Sequence, residues 1–286
     1  MVGGLGNQLF VLAAAWAQAD RLGCPLYVDN SGYDHPHTTR APDLDGIDLP
    51  GVDITERSPW AKGLLLDGPP GLIPVEARGQ RLHVFTQRSF AYDPVINTCV
   101  PGTTVTGYCQ SPMYFGAVGG ALAERLLSAE LLPGELEYLD SVSRDRRTTI
   151  HVRRGDYVGA FVEGKIGLAE IGYFRRAARL YERLHGKSRY RVYTDSPDTV
   201  QAEFTDFPDT EISDPAAPMR SFALLRAMAS ADGFIMSNST FSWWAAWLMT
   251  GRDPQATVIA PRPWFSSGNS ASDLLLPDWI TLDRRD

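Results

Sequence analysis

From residue 148 onward the chain alternates short apolar runs with amphipathic ones, and this alternation constrains the fold more than any other feature. Residues 148–152, 189–194, 233–236 and 257–260 read as buried strands, closed by Gly, Pro or a polar cluster. Between them, residues 169–184, 221–231 and 241–250 read as helices, and Phe222, Leu225 and Met228 share one face of the second. Gly186 and Gly251 supply helix stops. Strands alternating with helices predict a mostly parallel sheet covered by helices, an α/β fold. Ligands of such sheets bind beyond the carboxyl ends of the strands. The polar residues that close each strand are therefore the candidates for chemistry.

Three such closures stand out. The first is His151-Val152-Arg153-Arg154-Gly155-Asp156-Tyr157. Arg suits phosphate because its planar fork grips two oxygens at once. Alternation along a strand sends Arg153 and Arg154 to opposite sides, so one points at a ligand and the other anchors Asp156 or the loop. A plain ion pair at a strand end is the competing reading. The second closure is Ser237-Asn238-Ser239-Thr240-Phe241-Ser242, before a helix. N–H groups at a helix start favour phosphate oxygens, and hydroxyls add donors. N-capping alone needs one such residue, and this run has more. Trp243, Trp244 and Trp247 read as helix packing. The third is Thr194-Asp195-Ser196-Pro197. The Asp195 carboxylate suits the N–H donors of guanine, or a cap for the helix that Pro197 begins.

The first half is less regular. Gly3-Gly4-Leu5-Gly6 opens it, Asn7 is placed as an N-cap, and a helix is expected to about Arg21, ended by Gly23 and Pro25. Residues 9–19 have the look of a signal-peptide core, yet no Lys or Arg precedes Arg21, so a helix of the mature protein is expected. Residues 26–28, 82–86 and 103–108 read as strands and 114–132 as a helix, while 31–80 read as long loops and a plausible acceptor surface. The polar stretch 135–147 reads as a domain connection or linking helix.

Bulk properties bound the function. At 286 residues the chain is long for a single core, so two domains are expected. A net charge of −7 argues against general binding to nucleic acid or anionic membrane, so an anionic ligand needs a local cationic site. Cys24, Cys99 and Cys109 are the only cysteines and show no metal-ligand spacing, which points to thiols in a reducing compartment. No apolar run is long enough to span a membrane. Asp43-Leu44-Asp45 has the DxD form of metal-dependent sugar transferases, but it lies in a Pro/Gly-rich loop, and His35 and His37 are likewise Pro-flanked.

Taken together the motifs resemble the α-1,2-fucosyltransferases of glycosyltransferase family 11. The resemblance rests on GGLGNQLF at 3–10, GYCQSPMYF at 107–115, HVRRGDYV at 151–158, YTDSPD at 193–198, SNSTFSWWAAWL at 237–248 and VIAPRPWF at 258–265. It implies a GT-B architecture, two Rossmann-like domains facing a cleft: an acceptor-side domain at 1–138 and a GDP-fucose-binding domain at 139–286. Members usually carry a short apolar strand before the glycine-rich loop, and here only Met1-Val2 precede it, so either the first strand of the first domain is expected to be largely missing or the given start lies downstream of the true one.

The resemblance further implies inverting, metal-independent transfer of fucose from GDP-fucose to O2 of a galactose-terminated glycan or glycolipid, with no cofactor. Arg153 or Arg154 would meet the diphosphate, with Asp156 as a further catalytic candidate. His151 would lie near guanine or ribose, Asp195 would recognise guanine, and Ser237, Asn238, Ser239, Thr240 and Ser242 would line the phosphates. Gly4 and Asn7 would face the cleft from the first domain. A cytoplasmic location is expected, with peripheral contact at the inner membrane face if the acceptor is lipid-linked. Rival readings are a fucosyltransferase of another linkage, a silent nucleotide-sugar binder, and a metal-dependent transferase using Asp43 and Asp45.

Overall fold

The computed structural model describes residues 3–30, 33, 41–55, 70–77, 80–155, 167–207, 209–215, 218–266, 268 and 271–285. The chain divides into two units, Met1–Glu130 with Ser272–Leu274, and Leu131–Ala271 with Leu275–Asp286. A division at 138/139 would cut through a helix that belongs wholly to the second unit.

In the first unit α1 runs Leu5–Leu22, starting three residues earlier than an Asn7 cap implies. Its N-cap is Gly4, and the Asn7 N–H already donates to the Gly4 carbonyl at 3.0 Å, so Asn7 lies inside the first turn and caps nothing. Gly23 ends the helix in the left-handed region. Strands β1 (Leu26–Asp29) and β2 (Val52–Thr55) pair in parallel. Strand β3 (Gly71–Ala77) pairs antiparallel with β4 (Gln80–Thr86), which pairs in parallel with β5 (Thr103–Thr106). The helix expected over 114–132 is only α2, Gly119–Ser128. A short 3-10 turn at Pro112–Tyr114 precedes it, Gly116 lies between the two, and the weak helix formers Gly119 and Gly120 open α2.

The second unit carries α3 (Pro133–Arg144), β6 (Thr148–Val152), α4 (Ile171–His185), β7 (Tyr190–Thr194), α5 (Pro197–Glu203), β8 (Thr210–Ile212), α6 (Ser221–Ala229), β9 (Gly233–Ile235), α7 (Thr240–Arg252), β10 (Thr257–Arg262) and β11 (Ile280–Asp283). Its six strands are parallel throughout, in the order β11-β10-β9-β6-β7-β8. The chain steps outward from β6 to β8, returns to place β9 on the other side of β6, and steps outward again. This is the doubly wound order of dinucleotide-binding sheets, with its reversal between β6 and β9. Edge strands β8 and β11 escape the sequence reading because each is short and half-exposed, so neither shows a buried apolar run.

All five residues of β6 are buried, as expected for a strand covered on both faces. Ile150 and Val152 pack with Tyr173, Phe174 and Ala177 of α4. The alternate residues turn the other way: the Thr149 hydroxyl donates to the Met228 carbonyl of α6 at 3.2 Å, and the His151 ring lies 5.8 Å from Phe241 of α7. The buried Tyr173 hydroxyl lies 2.8 Å from the Met236 carbonyl and 3.1 Å from that of Ile259, linking the ends of β9 and β10. Trp243 and Trp244 are fully buried and meet edge to face, so the tryptophans of α7 are core. Among the described residues no helix is long and apolar enough to cross a membrane.

Glu135 joins α3 to the start of α6. It is 2% exposed, accepts the Leu132 and Arg220 N–H groups at 2.9 Å each, and pairs with the Arg220 guanidinium. The hydrogen-bonded guanidinium, more than any other influence, holds its carboxyl down to about 2 from the usual 4.5. The stabilisation is therefore complete above about pH 4.5 and is lost as pH falls toward 2. Glu135→Ala strands Arg220 and is expected to cost about 3 kcal/mol in urea unfolding at pH 7. Glu135→Gln is expected to flatten the acid limb of the stability profile between those two pH values.

Candidate active site

The reversal between β6 and β9 brings together the ends of three adjacent strands, β7, β6 and β9. They carry Asp195, the His151–Gly155 segment and the Ser237–Ser242 segment, so motifs far apart in sequence become neighbours. Asp156 lies outside the described residues.

The two arginines have different surroundings. The Arg154 side chain is 8% exposed and turns toward α4. Its guanidinium pairs with Glu203 at the end of α5 at 2.8 Å, donates to the Ala169 carbonyl at 2.9 Å and lies over the Phe174 ring. A guanidinium engaged on three sides inside the fold is framework. Arg153, 17% exposed, pairs with Asp195 Oδ2 at 2.7 Å and is the arginine at the open end of the strands.

Asp195 binds the loop that carries both. Its Oδ1 accepts the N–H groups of Arg154 at 2.9 Å and Gly155 at 3.1 Å while Oδ2 holds Arg153. A Cβ on residue 155 would come within 2.4 Å of Oδ2, so only glycine admits this close approach. The carboxylate expected to read guanine is thus occupied with the loop backbone and Arg153.

The run at 237–242 also splits. Ser237 is buried, and its hydroxyl lies 3.2 Å from His151 Nδ1. Asn238 donates to the Gly167 and Trp264 carbonyls at 2.9 and 3.1 Å, pinning two loops. Both side chains thus have partners within the fold. Ser239, Thr240 and Ser242 form the start of α7, where the N-cap Ser239 makes no side-chain capping bond. Ser242 is fully buried and its Oγ has no hydrogen-bond partner. An orphan hydroxyl costs about 1–3 kcal/mol and calls for an acceptor.

His151 is 6% exposed, enclosed by Ser237 and Phe241. Desolvation first, then the Arg153 charge, push its imidazole down to about 3, against the opposing pull of Asp195. The ring is a neutral, positioned group. Gly4 and Asn7 belong to the first unit, where the Asn7 carbonyl oxygen accepts from Gln110 at 3.1 Å. Their neighbour Gln8 fastens the opening loop, donating to the Gly3 and Ala41 carbonyls and accepting the Asp43 N–H. Sequence reasoning missed Glu203, which sits on a short, polar helix with no motif and becomes visible only when it meets Arg154. It also missed Phe241 as the wall of His151.

An arginine and a helix start at the reversal of a doubly wound sheet are groups suited to an anionic ligand. Residues 109–283 match the model of Glycosyl transferase family 11, and the chain belongs to that family. Among its relatives is an alpha-1,2-colitosyltransferase of Escherichia coli, 25% identical over 99% of this chain and 98% of that protein. The O-antigen biosynthesis glycosyltransferase WbnK of Escherichia coli is 32% identical over 136 residues, 47% of this chain and 44% of that protein, so the match to WbnK spans under half of its length. Solved structures with a related outline include NodZ alpha-1,6-fucosyltransferase soaked with GDP-fucose, at 17% identity and TM-score 0.46 over 86% of this chain and 89% of that one. A glycosyl transferase family 9 protein from Veillonella parvula matches at 12% identity and TM-score 0.48, over 99% of this chain and 84% of that one.

The unfolded imidazole takes up a proton near pH 6.5 and the folded one only near 3, so His151 subtracts stability as pH falls through that window. Histidine NMR of the folded chain is expected to show no inflection for the His151 ring between about pH 8 and 5.

Proposed function

We propose that this chain transfers L-fucose from GDP-fucose to the 2-hydroxyl of a galactoside, with inversion and without a metal ion. The observation that carries the reading is the position of Arg153: it stands at the strand-order reversal of a family 11 glycosyltransferase, at the end of the strand beside the one that leads into α7. In the reaction the acceptor O2 forms a bond to the anomeric carbon as the bond from that carbon to the β-phosphate oxygen breaks. GDP departs with the electron pair, and the hydroxyl proton passes to a carboxylate or to solvent; Asp156, two residues after Arg154, is the candidate within the motif. Negative charge grows on the β-phosphate while the sugar gains oxocarbenium character. Preorganised donors aimed at that phosphate stabilise the transition state more than the ground state. Arg153 and the first-turn amides of α7 are those donors. Arg154, Asp195 and Glu203 hold Arg153 in place.

A second reading concerns the donor sugar. The full-length similarity to an alpha-1,2-colitosyltransferase supports transfer of colitose from its GDP derivative by the same machinery. Comparing kcat/KM for GDP-fucose and GDP-colitose on one galactoside separates the two, and product linkage analysis checks the 2-position.

Arg153→Ala is expected to lower kcat on the order of 10²–10³-fold with the unfolding midpoint nearly unchanged. Arg154→Ala is expected to lose about 3–5 kcal/mol of stability by leaving Glu203 unpaired. A stable Arg154→Ala protein that loses GDP affinity while Arg153→Ala keeps it would reverse the assignment. Full transfer in EDTA is expected; loss restored by Mn²⁺ would place the chain with metal-dependent transferases instead.

A further inference from the structure

The GYCQSPM motif at 107–113 lies in the first unit, and the donor chemistry leaves it without a role. It forms the turn beyond the carboxyl end of β5. Because β5 runs parallel to β4, this turn and the segment after β4 occupy the end of the sheet where ligands of parallel strands bind.

The backbone there is held in uncommon conformations. Gly107 has φ 107°, and a Cβ on it would come within 3.0 Å of the Gln87 side chain. Cys109 has φ 46°, and the Ser111 N–H donates to the Cys109 carbonyl at 2.8 Å, closing a tight turn about Gln110. A non-glycine residue in that region costs of order 1 kcal/mol and persists only where the surroundings impose it. Here Gln87 Oε1 accepts the Cys109 N–H at 2.7 Å, and Ser111 Oγ donates to the Asp273 carbonyl at 3.0 Å and accepts the Met113 N–H at 3.2 Å.

This braced turn displays a sugar-sized surface. Tyr108 is 41% exposed and stacks on Phe90 with ring centroids 5.9 Å apart; Met113 is 58% exposed. Gln110 is 7% exposed, its Nε2 donates to Asn7, and its Oε1 is buried with no hydrogen-bond partner. One braced ring and a thioether are too small for a protein partner, which needs about 800 Å² from each side. An aromatic face and, two residues further along the same turn, an amide oxygen short of a donor match a pyranose: axial C–H groups for the ring, hydroxyls for the oxygen.

We propose that the 107–113 turn is the acceptor-sugar subsite: a pyranose stacks on Tyr108 and one of its hydroxyls donates to Gln110 Oε1, the amide turning outward to meet it. The choice of a galactoside among pyranoses rests on the transfer reaction proposed above.

The full chain is titrated with methyl β-galactoside, methyl β-glucoside, methyl N-acetyl-β-glucosaminide and lactose, followed by saturation-transfer NMR, with GDP binding measured separately by calorimetry. At least one pyranoside is expected to bind. Tyr108→Ala and Gln110→Met are each expected to weaken it about tenfold, the loss of one stacking contact or one hydrogen bond. Tyr108→Phe is expected to bind as the parent does, and the Tyr108 variants are expected to keep the parent's GDP affinity and unfolding midpoint. Binding of no pyranoside, or equal binding by the parent and Tyr108→Ala, overturns the subsite. A parent that binds GDP but no pyranoside fails here alone; one that binds a pyranoside through Tyr108 but no GDP overturns the donor reading and leaves the subsite standing.

Discussion

The Asp195 carboxylate holds the end of the second unit's sheet in working order. It reaches from β7 to the loop after β6, taking two backbone N–H groups on one oxygen and the Arg153 guanidinium on the other. The two amides fix the path of the loop, and the ion pair fixes the direction of the side chain most suited to a phosphate. The close approach works only because residue 155 has no Cβ. Arg154 completes the arrangement from the opposite face by tying the same loop to Glu203 and Ala169. One arginine is preorganised because the other is buried, which is how a site avoids reorganisation when charge develops on its ligand.

The wider charge pattern follows the same division. The chain is acidic overall, so it has no general field to attract an anion, and its arginines are placed one by one. Arg191 is buried against Asp145 and Glu211, Arg220 holds Glu135, and Arg284 donates to the Leu168 carbonyl. These stitch strands, helices and loops to one another. Positive groups suited to an anionic ligand are therefore local, with Arg153 at the end of β6 and the amides at the start of α7 as the candidates.

Much of this was legible in the residues. The strand-helix alternation foretold a parallel sheet, and the polar clusters read as strand closures do stand at neighbouring strand ends. Boundaries moved where local signals conflict: Asn7 has the chemistry of a cap, yet Gly4 takes that place because the helix begins earlier. The helix expected from Tyr114 shortens because glycines interrupt it. Glu203 carried no signal, since a carboxylate on a short polar helix looks like any solvated residue until the fold brings Arg154 to it. Ser237 and Asn238 read as phosphate ligands by their chemistry alone, and only the fold shows that an imidazole and two carbonyls are among their partners.

By itself the sequence determined the class of fold, the family and the short list of polar groups, because hydrophobic period and residue chemistry are local properties. Tertiary structure alone decided which of two adjacent arginines is partly open beside Asp195 and which is framework, that Asp195 binds the loop, that His151 is enclosed and neutral, and that the Gln110 oxygen is buried without a donor among the described residues. The physical reason is the same in each case. A hydrogen-bonding group has a few bonds to give, and which partners take them depends on residues dozens of positions away that only the folded sheet brings within 3 Å or so.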